Sequence, residues 1–357
     1  MTLSIVLVTF AGFWFPLIMA GAVFAVSLGV AAYSTYIERK FAAFLQDRLG
    51  PSRAGPWGIL QPLADGVKMV MKEEIIPNVS NKFLFILGPA IAMLTALMTG
   101  AVIPWGPKIT IGGESFSLQV ADVNIGVLYL LGVVSIGVYG IMIGGWASNN
   151  KYALLGALRA SSQMISYEIA MGVSVITLIM MTGTLQTSLI AEQQHGFWED
   201  GWFTWNFFKN PLTFLIFFIC ALAETNRTPF DLPECETELV GGYHTEYSSM
   251  KLGFYLFAEY VNMFISSAVM SLFFFGGYNF PFMDELKDHP NLVAVIGAAS
   301  MLIKTLFFVM VFMWIRWTIP RFRYDQLMNL GWKILIPLSL ANLVATGITM
   351  WGMGKIG

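Results

Sequence analysis

Between residues 224 and 260 the sequence places seven carboxylates, Glu224, Asp231, Glu234, Glu236, Glu238, Glu246 and Glu259, against two cations, Arg227 and Lys251. The segment lies between two strongly apolar stretches, where an acid is costly to hold and its default reading is functional. Like charges held close push one another's pKa values upward. Some acids in such a cluster are expected to titrate near neutral pH and as a coupled set, which suits proton exchange. Asp231-Leu232-Pro233-Glu234 also has the form of a helix start, an Asp cap with Glu at the capping-box position, so part of the acidity is ordinary capping. A helix following it sets Glu234 and Glu238 one turn apart on one face. Capping does not account for Glu236, Glu238, Glu246 and Glu259 as well.

Further ionisable groups lie inside apolar runs. Glu168 sits five residues into the run that starts at 163, less than about 10 Å from its beginning, and Glu259 sits about 10 Å into the next acid-bearing run. Lys304 lies in the middle of another run, deeper than any of the acids. A lysine there is expected to have a carboxylate partner or a wet cavity. Glu224, Glu168, Glu259 and Lys304 thus describe a descent from one membrane face toward the centre, the arrangement of a proton path. Two cysteines, Cys220 and Cys235, and three scattered histidines have neither the number nor the spacing for an iron–sulfur, zinc or haem site. No basic cluster suggests nucleic acid, and no Gly-rich nucleotide loop is present. Electrons that reach this chain are delivered by something else.

The elements that position these residues are membrane spans. With 56% hydrophobic and 12% charged residues, against about 25% charged in soluble domains, the 357 residues read as one all-α, polytopic integral-membrane domain, 1–357. About eight transmembrane helices are predicted, near 12–32, 83–102, 125–143, 163–182, 207–224, 254–275, 292–315 and 332–350. The fifth is the weakest, because Asn210 as cap and Pro211 as first residue leave too few apolar residues before Glu224 to cross unassisted. No basic segment precedes the first run, which reads as a retained span and not a cleaved signal. Fifteen of the twenty Lys and Arg fall on the odd loops and four on the opposite side. That asymmetry puts both termini outside, with the loop 33–82 and the acidic loop 224–251 on the cytoplasmic side. Within the first loop, Gln61, Asp65, Lys68 and Lys72 recur on one face opposite Leu60, Leu63, Val67, Val70 and Met71. This is an amphipathic helix lying along the membrane surface. It reads as a brace, and compatibly as a helix whose Asp65 and Lys68 form a polar wall over a ligand cavity. Gly140 and Gly144 form a small-residue pair suited to close helix packing. In the outer segment 183–210 no chemistry is legible: Trp198, Trp202 and Trp205 read as an interfacial belt, and His195, Glu199 and Asp200 as solvated.

Several blocks together carry a resemblance. YIERK (36–40), QDRLGPSRAGPWGILQPLADGVK (46–68), SNNKYALLGALRASSQMISYE (148–168), AETNRTPFDLPECETELVGGYHTEYSSMKL (223–252), AEY (258–260), IKTLF (303–307) and WIRWTIPRFRYDQLM (314–328) resemble the H subunit of respiratory complex I, the proton-pumping NADH:quinone oxidoreductase. The mitochondrial counterpart is NADH dehydrogenase subunit one. The likeness covers nearly every cytoplasmic loop and the spans between; the outer loops 183–210 and 276–291 carry none of it. It implies a subunit that forms much of the quinone chamber together with the peripheral-arm subunit that carries the terminal iron–sulfur cluster. Small membrane subunits and antiporter-like subunits would lie beside it. Glu168, Glu224, Glu234, Glu236, Glu238, Glu246 and Glu259 match the family's glutamate-lined channel, and Lys304 its intramembrane lysine. Arg39, Arg48, Asp65 and Lys68 fall in the blocks bordering the quinone tunnel, with Phe230 and Arg316 as further wall residues. By the same likeness quinone is the substrate, and no cofactor is bound by this chain; NADH, FMN and the iron–sulfur clusters belong to partner subunits. Length and loop style point to a bacterial cytoplasmic membrane. A membrane subunit of an energy-converting hydrogenase is the nearest rival, and retention of 46–73 and 223–252 favours the quinone enzyme. A stand-alone transporter would show internal repeats, which are not seen.

Overall fold

Helices account for nearly all of the regular structure. The computed structural model describes residues 2–111, 114–195, 198–199, 202–232, 239–281, 283–286 and 289–352, with the backbone alone at 2–13 and at a few positions beside the gaps. Among the described residues, seven helices are long and apolar enough to cross a membrane. They are α1 (Thr2–Leu45), α3 (Lys82–Thr99), α4 (Gly126–Ala147), α5 (Lys151–Thr182), α9 (Ser249–Phe274), α10 (Pro290–Thr318) and a last rod built of α11 (Tyr324–Asn329), a π-helical stretch and α12 (Ile336–Gly352). The expected fifth span is the short α8 (Pro211–Glu224), begun by Pro211 and by Asn210, whose side chain accepts from the Thr213 amide at 3.1 Å. Fourteen residues extend about 21 Å, short of a ~30 Å hydrocarbon core. The amphipathic α2 (Gln61–Met71) lies where the sequence puts it, after a tight turn that needs Gly58 at φ 83°. Short α6 (Thr187–Glu192) and α7 (Asn206–Lys209) and two antiparallel hairpins, β1 (Ile109–Ile111) with β2 (Glu114–Phe116) and β3 (Trp198–Glu199) with β4 (Trp202–Phe203), complete the fold.

Two spans are longer than their apolar runs. α1 continues through YIERKFAAFL to Leu45, and α5 starts at Lys151, twelve residues before the run at 163. Hydrophobicity ends where the hydrocarbon ends, but a helix ends only where its sequence stops it. Here the stops are Gly50-Pro51 after α1 and Asn150 before α5, whose side chain accepts from the Tyr152 amide at 2.9 Å. These extensions carry Glu38 on α1 and Gln163 on α5 into the site.

The helix at the centre is α9: two-thirds of its apolar window is buried, against about a tenth for α1. It packs on α1, α3 and α10. α3 and α4 meet closely because a Cβ on Gly140 would lie 2.8 Å from the Ala92 nitrogen. The same glycines leave room for α9, whose Tyr255 hydroxyl donates to the Gly140 carbonyl at 3.0 Å.

The loops sort by end. At one end the first loop meets the acidic segment, where the Ile75 amide donates to Ser248 Oγ at 3.1 Å, and the 319–323 turn joins them through Phe322 N–H to the Pro229 carbonyl at 3.1 Å. At the other, β1 contacts the start of α10 through Thr110 and Asn291 at 2.9 Å, and Gln186 and Ser188 both donate to Asp122.

Candidate functional site

Glu224 is the last residue of α8 and Glu259 lies ten residues into α9. Both line one internal cavity, together with Thr95 and Thr99 of α3, Gly137 of α4, and Tyr243, Tyr255 and Asn262. The space open to water centres is about 30 Å³, enough for about two waters. Tyr243 donates to Glu259 Oε1 at 3.1 Å. Glu168 of α5 is close enough to Glu224 for the two charges to interact, and its Oε1 takes a hydrogen bond from Ser135 of α4. Glu168, Glu224 and Glu259 are thus brought to one region by three different helices.

What holds the turn after α8 is Gln163, fully buried on α5. Its Nε2 donates to the Ala223 carbonyl at 2.8 Å and to the Phe230 carbonyl at 2.9 Å, closing residues 224–230 into a loop. Beyond it Asp231 accepts from Arg321 at 2.9 Å, and Glu246 from Asn150 at 2.6 Å. The acidic segment is therefore tied at both ends. Asp231 pairs with a guanidinium; the rest of the helix start expected at 231–234, with Glu234, Glu236 and Glu238, lies outside the described residues.

Reading the residues one by one missed the ion cluster beside this cavity. Glu38, 4% exposed, accepts from Arg227 at 2.7 Å and Tyr260 at 3.0 Å on Oε2, and from Arg316 at 2.6 Å on Oε1. The Arg227 guanidinium lies 3.9 Å from the centre of the Tyr260 ring. Buried charge is tolerable only when it is paired and hydrogen-bonded in this way. The sequence signal existed: Ser27, Ala31, Ser34 and Ala42 form a buried stripe of small residues at helical spacing with Glu38 in line, visible once α1 is carried past residue 32.

The residues expected around a quinone tunnel divide. Arg39 and Asp65 come together at 2.9 Å, not aligned as a hydrogen bond, and Gln61 donates to the other Asp65 oxygen at 3.0 Å. Arg316 joins the Glu38 cluster. Phe230 is a core residue, packed between Tyr167 and Phe322 with ring centres 5.3 and 5.7 Å away. Arg48 is exposed and donates to Gln46 at 2.6 Å, and Lys68 is exposed on α2.

Lys304 departs from expectation. In place of a carboxylate, its amine donates to three backbone carbonyls, those of Phe275, Gly277 and Asn279, at 2.8, 2.9 and 2.5 Å. These lie just past the end of α9, about 24 Å along that helix from Glu259. The segment 183–210, which showed no chemistry in the sequence, supplies Gln194, Trp205 and Asn206 around this helix end.

A family model described as NADH dehydrogenase matches residues 18–347 of this architecture. The chain belongs to the NADH dehydrogenase family. Similar proteins include an NADH-quinone oxidoreductase H subunit of Cytophaga hutchinsonii, 64% identical over 330 residues, which span 92% of this chain and 95% of that protein. The H subunit of Flavobacterium johnsoniae is 63% identical over 327 residues, spanning 91% and 92%, and subunit 8 of Rhodothermus marinus is 48% identical over 349 residues, spanning 95% and 98%. The likeness to the H subunits of complex I carried by the motif blocks is therefore a family relationship along nearly the whole chain. As a member of this family the chain is a membrane component of a multi-subunit oxidoreductase. No group of three or more metal-ligating side chains occurs among its described residues.

Proposed function

We propose that this chain forms the membrane wall of the quinone chamber in a proton-translocating NADH:quinone oxidoreductase, and that its acids couple quinone reduction to proton movement. Quinone comes in laterally from the lipid over α2, past Arg39 and Asp65. Its head group is reduced near the junction with the peripheral arm, by electrons delivered from the partner subunits that hold NADH, FMN and the iron–sulfur clusters. Two-electron reduction leaves a basic species that takes up two protons. The resulting change of charge is felt by the segment 224–246, which is tethered at Asp231 and Glu246 and forms the two-state element. Glu224, Glu259 and Glu168 then shift protons or position, and pass the disturbance toward the small membrane and antiporter-like subunits. The Glu38–Arg227–Arg316 cluster holds Arg227 in place, next in the chain to Asn226 of the cavity wall. The complex lies in a bacterial cytoplasmic membrane, with both termini of this chain outside.

The observation that carries this reading is the internal cavity shared by Glu224 and Glu259. Carboxylates held in a core with room for water, and linked to a tyrosine hydroxyl, have the surroundings that proton exchange needs. Glu259→Gln and Glu224→Gln keep the shape and remove the titration. Each is expected to lower coupled quinone reductase activity by about tenfold or more in membranes where the complex still assembles. Wild-type activity and wild-type pumping in both variants would reject the relay.

A further inference from the structure

The outer end of α9 is buried. Leu272, Phe273 and Phe274 are at most 1% exposed, and the last carbonyls of a helix have no partner within the helix. In an apolar setting each must find a donor elsewhere. Gln194 donates to the Leu272 carbonyl at 2.9 Å and Asn206 to the Phe273 carbonyl at 2.9 Å. The chain then turns through Gly276 and Gly277, at φ 73° and 55°, the left-handed conformation that ends helices. That turn converges three carbonyls on the Lys304 amine, and the Trp205 ring covers it at 4.9 Å.

An ammonium has three N–H groups and no acceptor, and here all three are committed to carbonyls. The cation also lies at the end of α9 that carries negative dipole charge. Loss of a proton would leave a buried carbonyl without its donor and turn a lone pair toward it, which is costly. Between Glu259 and Phe275 the helix carries no Asp, Glu, Lys, Arg or His. On its other side the Lys304 cage borders an outer pocket of about 390 Å³ lined by Tyr278, Asn279 and His195.

We propose that Lys304 is a positioning residue: a charged cap that locks the outer end of α9, and with it the axial position of Glu259, and not a carrier in the proton path. This assignment stands independently of the relay read for Glu224 and Glu259. It is tested in the whole complex with Lys304→Met and Lys304→Arg, by the amount of assembled complex on native gels and by protons moved per quinone reduced. Met removes the donors, and assembled complex is expected to fall several-fold. Arg cannot release a proton but retains charge and several N–H donors; it is expected to restore assembly well above the Met variant, with the wild-type proton ratio. Full assembly of the Met variant would overturn the cap, as would failure of Arg to rescue. An Arg variant that assembles and reduces quinone with a lowered proton ratio would make Lys304 a carrier instead.

Discussion

Glu38 and Asp325 are both acids paired with arginine, yet their surroundings separate them. The Glu38 and Arg227 side chains are 6% and 3% exposed, whereas Asp325 and Arg323 are 62% and 76% exposed at 3.2 Å. Removing one partner of a buried pair strands the other charge and costs roughly 3–5 kcal/mol, while an exposed pair contributes about 0–1 kcal/mol. Glu38→Ala is therefore expected to make quinone reductase activity in isolated membranes markedly more heat-labile, and Asp325→Ala to leave its half-life unchanged. Equal half-lives would remove the cluster from the account. At this scale the sequence was readable where a charge interrupts an apolar run, as at Glu168, Glu259 and Lys304. It was not readable where the partner is backbone, as for Lys304, because carbonyl cages leave no mark on residue type. Glu38 was hidden because the first span was ended at residue 32, short of it.

Helix ends were the least legible elements. The apolar runs located the seven described helices long enough to span, and the eighth run, flagged as weakest by Asn210-Pro211, is the short α8. They set the end of α1 and the start of α5 about a dozen residues short, because polar helix formers continue those helices beyond the apolar runs. Close packing of α3 on α4 was visible in Gly140 and Gly144, and the geometry gives it a sharp consequence. Gly140→Ala would force apart two backbones, since the added carbon meets the Ala92 nitrogen at 2.8 Å, whereas a carbon added at Gly172 of α5 meets nothing within 4 Å. Thermal unfolding of the purified complex is expected to show lower stability for Gly140→Ala. For Gly172→Ala it should show none lost, and a gain of up to about 1 kcal/mol from helix propensity. A stable Gly140→Ala protein would mean that α3 and α4 are not locked at that crossing.

For the molecule as a whole, the charge asymmetry of the loops matches their sorting into two ends, since the odd loops touch one another and the even loops touch one another. The end that holds Lys304 proved richer than its sequence suggested, because Gln194 and Asn206 are ordinary polar residues until the buried carbonyls of α9 are seen to need them. What unites the two ends is α9, which carries Glu259 near the acidic segment and terminates in the Lys304 cage. The account turns on Glu224 and Glu259 responding to quinone reduction from inside their common cavity. Infrared difference spectra of the whole complex, oxidised against reduced with quinone present, measure that response in the carboxyl stretching region. The account predicts a carboxyl band in the wild type that is diminished in Glu224→Gln and in Glu259→Gln. An unchanged band pattern in both variants, with quinone still reduced, would contradict it.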